Sequence, residues 1–331
     1  MAAPRPAIAC LGAGRMGRGI AVAFAYAGHA VTMIDIKART PEQFAKLKGE
    51  ALEEVRKTLA SLARFGLLAD KDAETIIARV SVEPAPNMAE ALAGAGMVFE
   101  GVPELVELKR EVLAAASKWV GPDAVIASTT STILVDDLAS SVENPARFLN
   151  VHWLNPAYLI PLVEISPGAT TDPAVVARVK ALLEGIGKMP VVCAATPGFI
   201  VPRIQALAMN EAARMVEEGV ASAEDIDKAI RYGFGFRYAV MGLLEFIDWG
   251  GGDILYYASR YLEGALGSDR YRAPEVISDN MRDGRIGMRT GAGFLDYSGL
   301  DIDAYREQRL AALVELLRHF GLARPPVLDR E

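Results

Sequence analysis

Short apolar runs alternate with longer stretches of helical periodicity over the first 195 residues of the chain. This alternation is typical of βαβ units, in which helices cover both faces of a parallel sheet. The apolar runs that predict strands lie at 7–11, 30–34, 80–82, 97–99, 124–127, 148–151, 162–165 and 191–193. The segments that predict helices between them lie at 15–26, 41–65, 106–119, 135–139 and 173–186. The pattern therefore predicts an α/β fold with a doubly wound, mostly parallel sheet.

The pattern changes after Thr196-Pro197-Gly198, where the strand signals cease. The remaining sequence shows only helical periodicity, over roughly 199–218, 222–231, 240–262, 270–283 and 303–320. We therefore expect an α/β domain at 1–195 and a second, all-α domain at 196–331. A length of 331 residues is consistent with two domains.

A glycine-rich turn, Gly12-Ala13-Gly14-Arg15-Met16-Gly17, follows the first predicted strand and opens the first predicted helix. In this G-x-G-x-x-G pattern the first glycine permits a tight turn, and the second lets the backbone approach a pyrophosphate. The third glycine allows the helix to pack closely on the strand, and the helix N-terminus faces the anion. The turn predicts a Rossmann-type dinucleotide-binding domain, with cofactor contacts at Gly12, Gly14, Arg15, Met16 and Gly17.

Asp35 ends the second predicted strand, 18 positions after Gly17. An acidic side chain at this place accepts hydrogen bonds from the ribose hydroxyls of a dinucleotide. A carboxylate there also repels a 2′-phosphate, so Asp35 favours NAD over NADP. Lys37 and Arg39 follow closely and weaken this preference, although solvated loop charges are a better explanation for them than phosphate ligands.

Acidic residues outnumber basic ones, with 42 Asp and Glu against 35 Lys and Arg and a net charge of -7. This balance disfavours binding to nucleic acid or to an anionic membrane, so we expect a small-molecule substrate. No stretch has the length of a membrane span, and the apolar run after residues 1–6 is too short for a signal peptide. The two cysteines, Cys10 and Cys193, provide neither a disulfide framework nor a metal site, which favours a cytoplasmic protein.

His152 is the histidine that best fits a catalytic role. It follows the predicted strand 148–151, where an open α/β sheet delivers residues to its ligand crevice. Glu164 lies twelve residues later inside an apolar run, where a carboxylate is costly unless it is paired. An imidazole held by a carboxylate can accept a proton from an alcohol while a hydride leaves. His29 and His319 are better explained as structural or surface residues.

Several further motifs occur in one order along nearly the whole chain, and together they resemble the 3-hydroxyacyl-CoA dehydrogenase superfamily. Beside the glycine turn, these motifs are Glu104 with Lys109, Ala127-Ser128-Thr129-Thr130-Ser131, His152-Trp153-Leu154-Asn155-Pro156, Leu162-Val163-Glu164, Thr196-Pro197-Gly198-Phe199-Ile200-Val201 and Gly291-Ala292-Gly293-Phe294-Leu295-Asp296-Tyr297. The spacing of Ser131, His152 and Glu164, 21 and then 12 residues, matches that of the family's catalytic serine, histidine and glutamate.

The resemblance implies an NAD-dependent dehydrogenase that oxidises a hydroxyl group β to a carbonyl or carboxyl group. It implies that His152 is the general base, Glu164 its orienting partner and Ser131 a hydroxyl that contacts the substrate oxygen and the nicotinamide side. Asn155 would contact both cofactor and substrate, and Glu104 and Lys109 would contact the ribose next to the nicotinamide. Solvated charges at a helix start remain an alternative for Glu104 and Lys109.

Two departures from the family pattern leave the substrate open. Pro202 stands where the family has an asparagine that reaches the substrate, and proline has no hydrogen-bonding side chain. The segment around Arg237 replaces a Pro-Met-Gly-Pro motif and looks more like relatives that act on L-gulonate, carnitine or pyridine carboxylates. Arg237 could clamp a substrate carboxylate, and an exposed arginine at a helix start is an equally good explanation.

We therefore expect oxidation of a 3-hydroxyacyl-CoA to the 3-oxoacyl-CoA. The same chemistry on a free 3-hydroxy acid or on a hydroxymethyl pyridine acid is the alternative. A non-catalytic, crystallin-like NAD-binding protein is a lesser alternative, disfavoured by the intact Ser131, His152 and Glu164. Because relatives dimerise through their helical part, we also expect a homodimer.

Overall fold

The computed structural model describes residues 5–327, and most of the segment 1–6 considered for a signal peptide lies outside this range. It contains eight strands in a single sheet: β1 Ala7–Leu11, β2 Val31–Asp35, β3 Val80–Pro84, β4 Ala95–Glu100, β5 Val125–Ser128, β6 Phe148–Trp153, β7 Leu162–Pro167 and β8 Met189–Val192. The strand order is β3-β2-β1-β4-β5-β6-β7-β8. All neighbouring strands run parallel except β6 and β7, which are antiparallel. The predicted Rossmann-type, mostly parallel sheet is thus confirmed.

Fourteen α-helices accompany the sheet or follow it within the described residues. They are α1 Arg15–Tyr26, α2 Pro41–Arg64, α3 Ala73–Ile77, α4 Met88–Ala93, α5 Val106–Ser117, α6 Val135–Ala139, α7 Pro173–Gly185, α8 Val201–Glu217, α9 Ala223–Ala229, α10 Gly235–Tyr238, α11 Leu243–Gly250, α12 Gly252–Leu266, α13 Glu275–Arg282 and α14 Ile302–His319. A π-helical turn, Ile230–Phe234, connects α9 to α10. The second, helical domain is therefore also confirmed as a fold class.

The alternation of side chains along the strands divides the apolar core into two layers. On β1, Ile8 and Cys10 belong to the layer that includes residues of α1, α2 and α7. Ala9 and Leu11 belong to the opposite layer, which includes residues of α4, α5 and α6. A parallel sheet covered on both faces places its unpaired polar groups at the strand ends, where ligands bind.

Local chemistry explains where the long helix α2 begins. The Thr40 hydroxyl accepts a hydrogen bond from the Gln43 backbone N–H, while the Gln43 side chain accepts one from the Thr40 backbone N–H. Pro41 stands at the first helical position, where its missing N–H costs nothing. The helix therefore begins directly after the loop that follows Asp35.

Two predictions in the helical region are wrong in detail. The segment 240–262 is not one helix, because Gly251 adopts a φ of 105° and separates α11 from α12. The expected helix 222–231 ends at Ala229 and continues into the π-helical turn. Apolar periodicity continues across both interruptions, so the pattern alone does not reveal them.

The chain divides into two compact units, one ending at Ala208 and the other beginning at Met209. The boundary near residue 195 stays a prediction, because it concerns the division of function between the domains. In the second unit Asp248 accepts hydrogen bonds from the backbone N–H groups of Phe294 and Leu295, at 2.9 and 2.8 Å, and from the Tyr297 hydroxyl. The Gly291–Tyr297 motif is therefore a turn folded around a buried carboxylate. Within residues 5–327 no helix has the combination of length and apolar character that a membrane crossing requires.

Candidate active site

The glycine turn lies between β1 and α1. Gly12 has a φ of 109°, which favours glycine. A Cβ on Gly17 would lie 2.0 Å from the Gly12 carbonyl oxygen, so close packing requires glycine at this position. A Cβ on Gly14, in contrast, would meet no atom within 4 Å. A pyrophosphate has room in this open space. It can also accept hydrogen bonds from the first backbone N–H groups of α1, which have no intrahelical acceptor.

Asp35 lies at the end of β2 and is almost fully buried. Its carboxylate accepts a hydrogen bond from the Lys37 backbone N–H and pairs with the Arg39 guanidinium. A cavity of about 220 Å³ extends from the glycine turn to Asp35 and Arg39. A glycine turn at one end of this cavity and a carboxylate at the other fit a dinucleotide.

His152 and Glu164 face each other across the antiparallel strands β6 and β7. They are directly opposed in the register of the two strands, and His152 Nδ1 lies 2.8 Å from Glu164 Oε2. The exposed fractions of their side chains are 9% and 1%. His152 lies inside β6, not just beyond the strand end as the pattern predicts. The spacing of twelve residues thus corresponds to a hairpin-like pairing that brings the two side chains together.

The other carboxylate oxygen of Glu164 binds the backbone at the start of α8. Glu164 Oε1 accepts hydrogen bonds from the backbone N–H groups of Ile200 and Val201, at 2.9 and 2.8 Å. Burial opposes ionisation, but the hydrogen bond from His152 and these two N–H groups hold the pKa of Glu164 below its ordinary value of 4.5. Glu164 is therefore an anion that fixes the ring orientation of His152 through Nδ1 and leaves Nε2 for another partner.

Phe199 belongs to a motif found in the sequence, but the sequence analysis assigned it no role. Its ring stacks on His152 with centroids 5.4 Å apart and an interplanar angle of 28°. Phe199 has a φ of 44° and follows Gly198, with a φ of 77°. This strained turn places the ring against the imidazole on one face and continues into the N–H groups that bind Glu164. Two consecutive left-handed residues are not predictable from a Pro-Gly-Phe pattern alone.

Ser131 lies in the loop after β5 and is partly exposed. Its backbone N–H donates to Glu104 Oε1 at 3.1 Å. Glu104 also lies 3.4 Å from Lys109 Nζ, so the structure brings these three predicted residues together. Burial raises the pKa of Glu104, but hydrogen bonds from Thr130 and Thr132 and the charge of Lys109 outweigh this and lower it below 4.5.

Glu100, which the sequence analysis did not identify, is the main partner of Lys109. Their nearest atoms, Lys109 Nζ and Glu100 Oε1, are 2.8 Å apart, and both side chains are almost fully buried. The signal available in the sequence was a glutamate at the end of the apolar run 97–99, where a carboxylate requires a partner. Whether Glu104 and Lys109 contact the cofactor stays a prediction.

Asn155 and Arg15 line a second cavity, of about 260 Å³, between α1, α2 and the loop after β6. Lys188 fixes this loop, because its buried ammonium group donates to the carbonyl oxygens of Ala157 and Ile160 at 2.7 and 2.8 Å. Burial lowers the pKa of Lys188. The loop after β6 is therefore fixed by hydrogen bonds from Lys188. Among the described residues, this lysine has no carboxylate partner. Nothing in the sequence pattern indicated its role.

The remaining predicted residues have simpler environments. Met16 is partly buried, and it packs against the core layer that contains Ile8. Pro202 is the second residue of α8, where the backbone N–H that proline lacks would have no intrahelical acceptor. Arg237 lies in the second compact unit, with its guanidinium 4.9 Å from the centre of the Phe246 ring.

Comparisons with known proteins agree with these features. Residues 7–196 match the family model described as the 3-hydroxyacyl-CoA dehydrogenase NAD binding domain, and residues 198–297 match that of the C-terminal domain. The 5-formyl-3-hydroxy-2-methylpyridine 4-carboxylate 5-dehydrogenase of Mesorhizobium japonicum is 31% identical over 94% of this chain and 97% of its own length. Lambda-crystallin of Oryctolagus cuniculus is 37% identical over 77% of each chain. The solved structure of a 3-hydroxyacyl-CoA dehydrogenase from Archaeoglobus fulgidus is 33% identical, with a TM-score of 0.75 over 96% of this chain and 100% of that one.

Proposed function

Because the chain belongs to the 3-hydroxyacyl-CoA dehydrogenase family and is an NAD-dependent dehydrogenase acting on a hydroxyl group, we propose that it oxidises a 3-hydroxyacyl-CoA to the 3-oxoacyl-CoA. We propose His152 as its general base. The observation that supports this proposal is the buried pair of His152 and Glu164, joined at 2.8 Å. A base that accepts a hydroxyl proton must have a fixed ring nitrogen and a stabilised cation, and this pair provides both.

In this proposal each residue of the pair has a separate role. His152 Nε2 accepts the substrate hydroxyl proton, and Glu164 stabilises the imidazolium that results. Ser131 donates a hydrogen bond from its hydroxyl to the substrate oxygen. NAD supplies the hydride acceptor. Water is kept from one face of the imidazole by the stacked ring of Phe199.

Three of the proposed cofactor contacts, Gly12, Gly14 and Asp35, line the cavity of about 220 Å³. The backbone at Gly12, Gly14, Arg15, Met16 and Gly17 holds the pyrophosphate, and Asp35 accepts hydrogen bonds from the adenosine ribose. Asn155 contacts the cofactor and the substrate from the loop after β6. Arg39 already occupies one oxygen of Asp35, so ribose binding requires Arg39 to share or yield that oxygen.

A free hydroxymethyl pyridine acid is the alternative substrate, because a relative named for a pyridine carboxylate aligns with 94% of this chain. In this alternative Arg237 binds the substrate carboxylate. Its replacement by methionine then raises KM strongly for the small acid and leaves KM for an acyl-CoA unchanged. We further propose a homodimer, since few apolar side chains of the second unit are buried within one chain.

The experiment that tests the proposal follows NADH absorbance with acetoacetyl-CoA, free acetoacetate, gulonate, carnitine and pyridine acids in parallel. With acetoacetyl-CoA the reaction runs in reverse, so we expect NADH to be consumed while protonated His152 donates the proton. We expect His152→Ala to lose about 1000-fold in kcat, because general acid–base catalysis contributes about that much. His319→Ala, in the last turn of α14, is the matched control and keeps full activity. Full activity of His152→Ala would refute the assignment of the base, and no turnover of any substrate would favour a crystallin-like role.

A further inference from the structure

A short loop, residues 154–161, connects the strands that carry His152 and Glu164. Because these two side chains are opposed in the register of β6 and β7, the loop closes a hairpin directly beside the proposed base. Within the loop Asn155 is exposed, whereas Ala157 is only 1% exposed. The loop therefore has one residue open to ligands and a buried part that fixes it to the protein.

The middle of the loop is a single turn of helical hydrogen bonding. The Pro156 carbonyl oxygen accepts hydrogen bonds from the backbone N–H groups of Leu159 and Ile160, each at 2.9 Å. A turn that does not continue as a helix leaves its later carbonyl oxygens without backbone donors. Lys188 Nζ donates to two such oxygens, those of Ala157 and Ile160, at 2.7 and 2.8 Å. The ammonium group therefore closes the turn as a cation does at a helix C-terminus.

Lys188 is itself fixed, so it can serve as an anchor. It follows Gly187, which has a φ of 78°, and its backbone N–H donates to the Leu183 carbonyl oxygen of α7 at 3.0 Å. Lys188 is 6% exposed, and its Nζ lies 5.8 Å from the centre of the Trp153 ring, within the range of a cation–π contact. Two carbonyl oxygens and one aromatic face account for the three hydrogens of the ammonium group. Its contacts are therefore complete within the protein.

The loop also packs against α1, the helix that follows the glycine turn. A Cβ added at Gly19 of α1 would lie 3.2 Å from the Ala157 Cβ, so the loop and the helix are close together here. Asn155 and Arg15 line the same cavity of about 260 Å³. The position of Ala157 against α1 therefore sets the position of Asn155 relative to the proposed pyrophosphate site.

We propose that Lys188 is a positioning residue, which fixes the loop 154–161 against α1 so that Asn155 reaches the cofactor and the substrate. This inference rests on the proposed function, because it concerns the ligand contacts of Asn155. In this proposal Lys188 touches neither ligand and acts only through the loop. His152 is held separately, by the strand register and by Glu164, so it stays in place when Lys188 is replaced.

A methionine in place of Lys188 removes the two donors and leaves no large cavity, because its side chain has a similar length. The carbonyl oxygens of Ala157 and Ile160 then have no partner inside the protein, and leaving buried acceptors unpaired is costly. We expect the loop to move until water reaches these oxygens. Lys188→Met thus displaces Asn155 without changing any residue of the loop.

A double-mutant cycle distinguishes positioning from a general effect on the fold. Wild type, Lys188→Met, Asn155→Ala and the double variant are each titrated with NADH by fluorescence. We expect each single substitution to raise the Kd of NADH about 10-fold, roughly the cost of one lost hydrogen bond. The double variant should bind no more weakly than Asn155→Ala, because Lys188 acts through a side chain that is already removed. Losses that multiply in the double variant would overturn the proposal.

Two further variants complete the cycle. Lys180→Met replaces an exposed lysine of the same helix region, on α7, and is the control that keeps the wild-type Kd. Lys188→Gln keeps a donor group with two hydrogens, and it serves in the cycle if Lys188→Met does not fold. We expect Lys188→Gln to raise the Kd less than Lys188→Met, and to have no further effect in Asn155→Ala.

Steady-state kinetics test the inference with substrate. At saturating NAD we expect Lys188→Met to raise KM for the substrate about 10-fold and to lower kcat by a smaller factor, since one hydrogen bond to the substrate is lost while the base stays in place. His152→Ala should show the opposite division, with its main loss in kcat. Lys188→Met that is folded and keeps wild-type Kd and KM would refute the positioning role.

The NADH titration requires no substrate, so it separates this inference from the proposed function. A protein that turns over none of the substrates and still shows the non-additive cycle would support the positioning role and overturn the proposed function. Wild-type Kd and KM in Asn155→Ala would refute the ligand contacts of Asn155, and the positioning role with them.

Discussion

Two glycines of the turn after β1 differ in what a side chain at each position would meet. A Cβ at Gly17 would lie 2.0 Å from the Gly12 carbonyl oxygen, whereas a Cβ at Gly14 would enter open space. We expect Gly17→Ala to lower the free energy of unfolding by about 1–3 kcal/mol, as overpacking does. We expect Gly14→Ala to keep wild-type stability and to weaken NADH binding, because its methyl group lies where the pyrophosphate is proposed to bind.

Chemical denaturation and NADH fluorescence titration on both variants provide the check. The two substitutions add the same methyl group, so each variant serves as the control of the other. Equal losses of stability in Gly14→Ala and Gly17→Ala would contradict the packing argument. Unchanged NADH affinity in Gly14→Ala would contradict the proposed position of the pyrophosphate.

Glu164 makes the stability of the protein depend on pH in acid. Despite the opposing effect of burial, hydrogen bonds from His152, Val201 and Ile200 lower the folded-state pKa of Glu164 below 4.5, so the folded protein binds its proton less readily than the unfolded chain. The contribution of Glu164 to stability is therefore complete above a pH of about 4.5 and is lost as the pH falls through the lowered folded pKa.

Urea denaturation of wild type and Glu164→Gln between about pH 7 and pH 3 measures this contribution. We expect the difference in unfolding free energy between the two proteins to be constant above about pH 5 and to shrink below that value. Other carboxylates titrate in both proteins and cancel in the difference. A difference that grows on acidification would contradict the sign of the shift.

At the level of elements, the strands were the most predictable feature. A strand covered on both faces is a continuous apolar run, so the inner strands are visible in the sequence. The edge strands β3 and β8 are more exposed, but they also overlap predicted apolar runs. The helix breaks at Gly251 and at 230–234 were not visible, because they interrupt the backbone without interrupting the apolar pattern. The antiparallel direction of β7 was also invisible, since a short apolar run carries no direction.

The site was predictable to a similar depth. His152 and Glu164 were predictable as one pair, because a buried carboxylate needs a partner. The register that opposes them, and the backbone N–H groups that Glu164 also binds, depend on the folded backbone. Phe199 and Lys188 were missed for the same reason, as their roles arise from a turn and a loop that no periodicity describes.

The break between α11 and α12 makes a prediction about adjacent glycines. Gly251 has a φ of 105°, and a Cβ there would lie 2.5 Å from Asp253 Oδ1. Gly250 is the last residue of α11, and a Cβ there would lie 3.8 Å from its nearest neighbour. We expect Gly251→Ala to cost about 1–3 kcal/mol of unfolding free energy, as strained backbone does, and Gly250→Ala to cost nothing. Thermal denaturation of the two variants measures this difference. Equal melting temperatures would contradict the proposed backbone strain at Gly251.

On the scale of the whole molecule, the second unit buries few apolar side chains. Within its described residues, 209–327, the buried apolar residues are Ile226, Met241, Ile277, Met288 and Tyr297. On α12, Ile254, Tyr257 and Tyr261 are 63%, 64% and 74% exposed, and their spacing places them along one face of the helix. An apolar face of this kind on a helix is typical of an interface with another copy.

Multi-angle light scattering tests the proposed homodimer. We expect wild type to elute with twice the mass of the 35.5 kDa chain. Tyr261→Glu should elute as a monomer, because a charge would be buried at the interface. Phe65→Glu, an equally exposed aromatic position in the first unit, is the control and stays dimeric. A monomeric wild type would overturn the dimer, and a dimeric Tyr261→Glu would place the interface elsewhere.

The carboxylate of Glu164 serves two parts of the chain at once, so a substitution at this position affects both. One of its oxygens binds the imidazole of His152 and the other binds two peptide N–H groups at the start of α8. A glutamine could satisfy either set of donors but not both, since its amide offers a single acceptor oxygen. Descendants that abandon this chemistry must still keep an acceptor for the two peptide groups, so this position should drift only toward residues such as glutamine, even where catalysis is no longer selected.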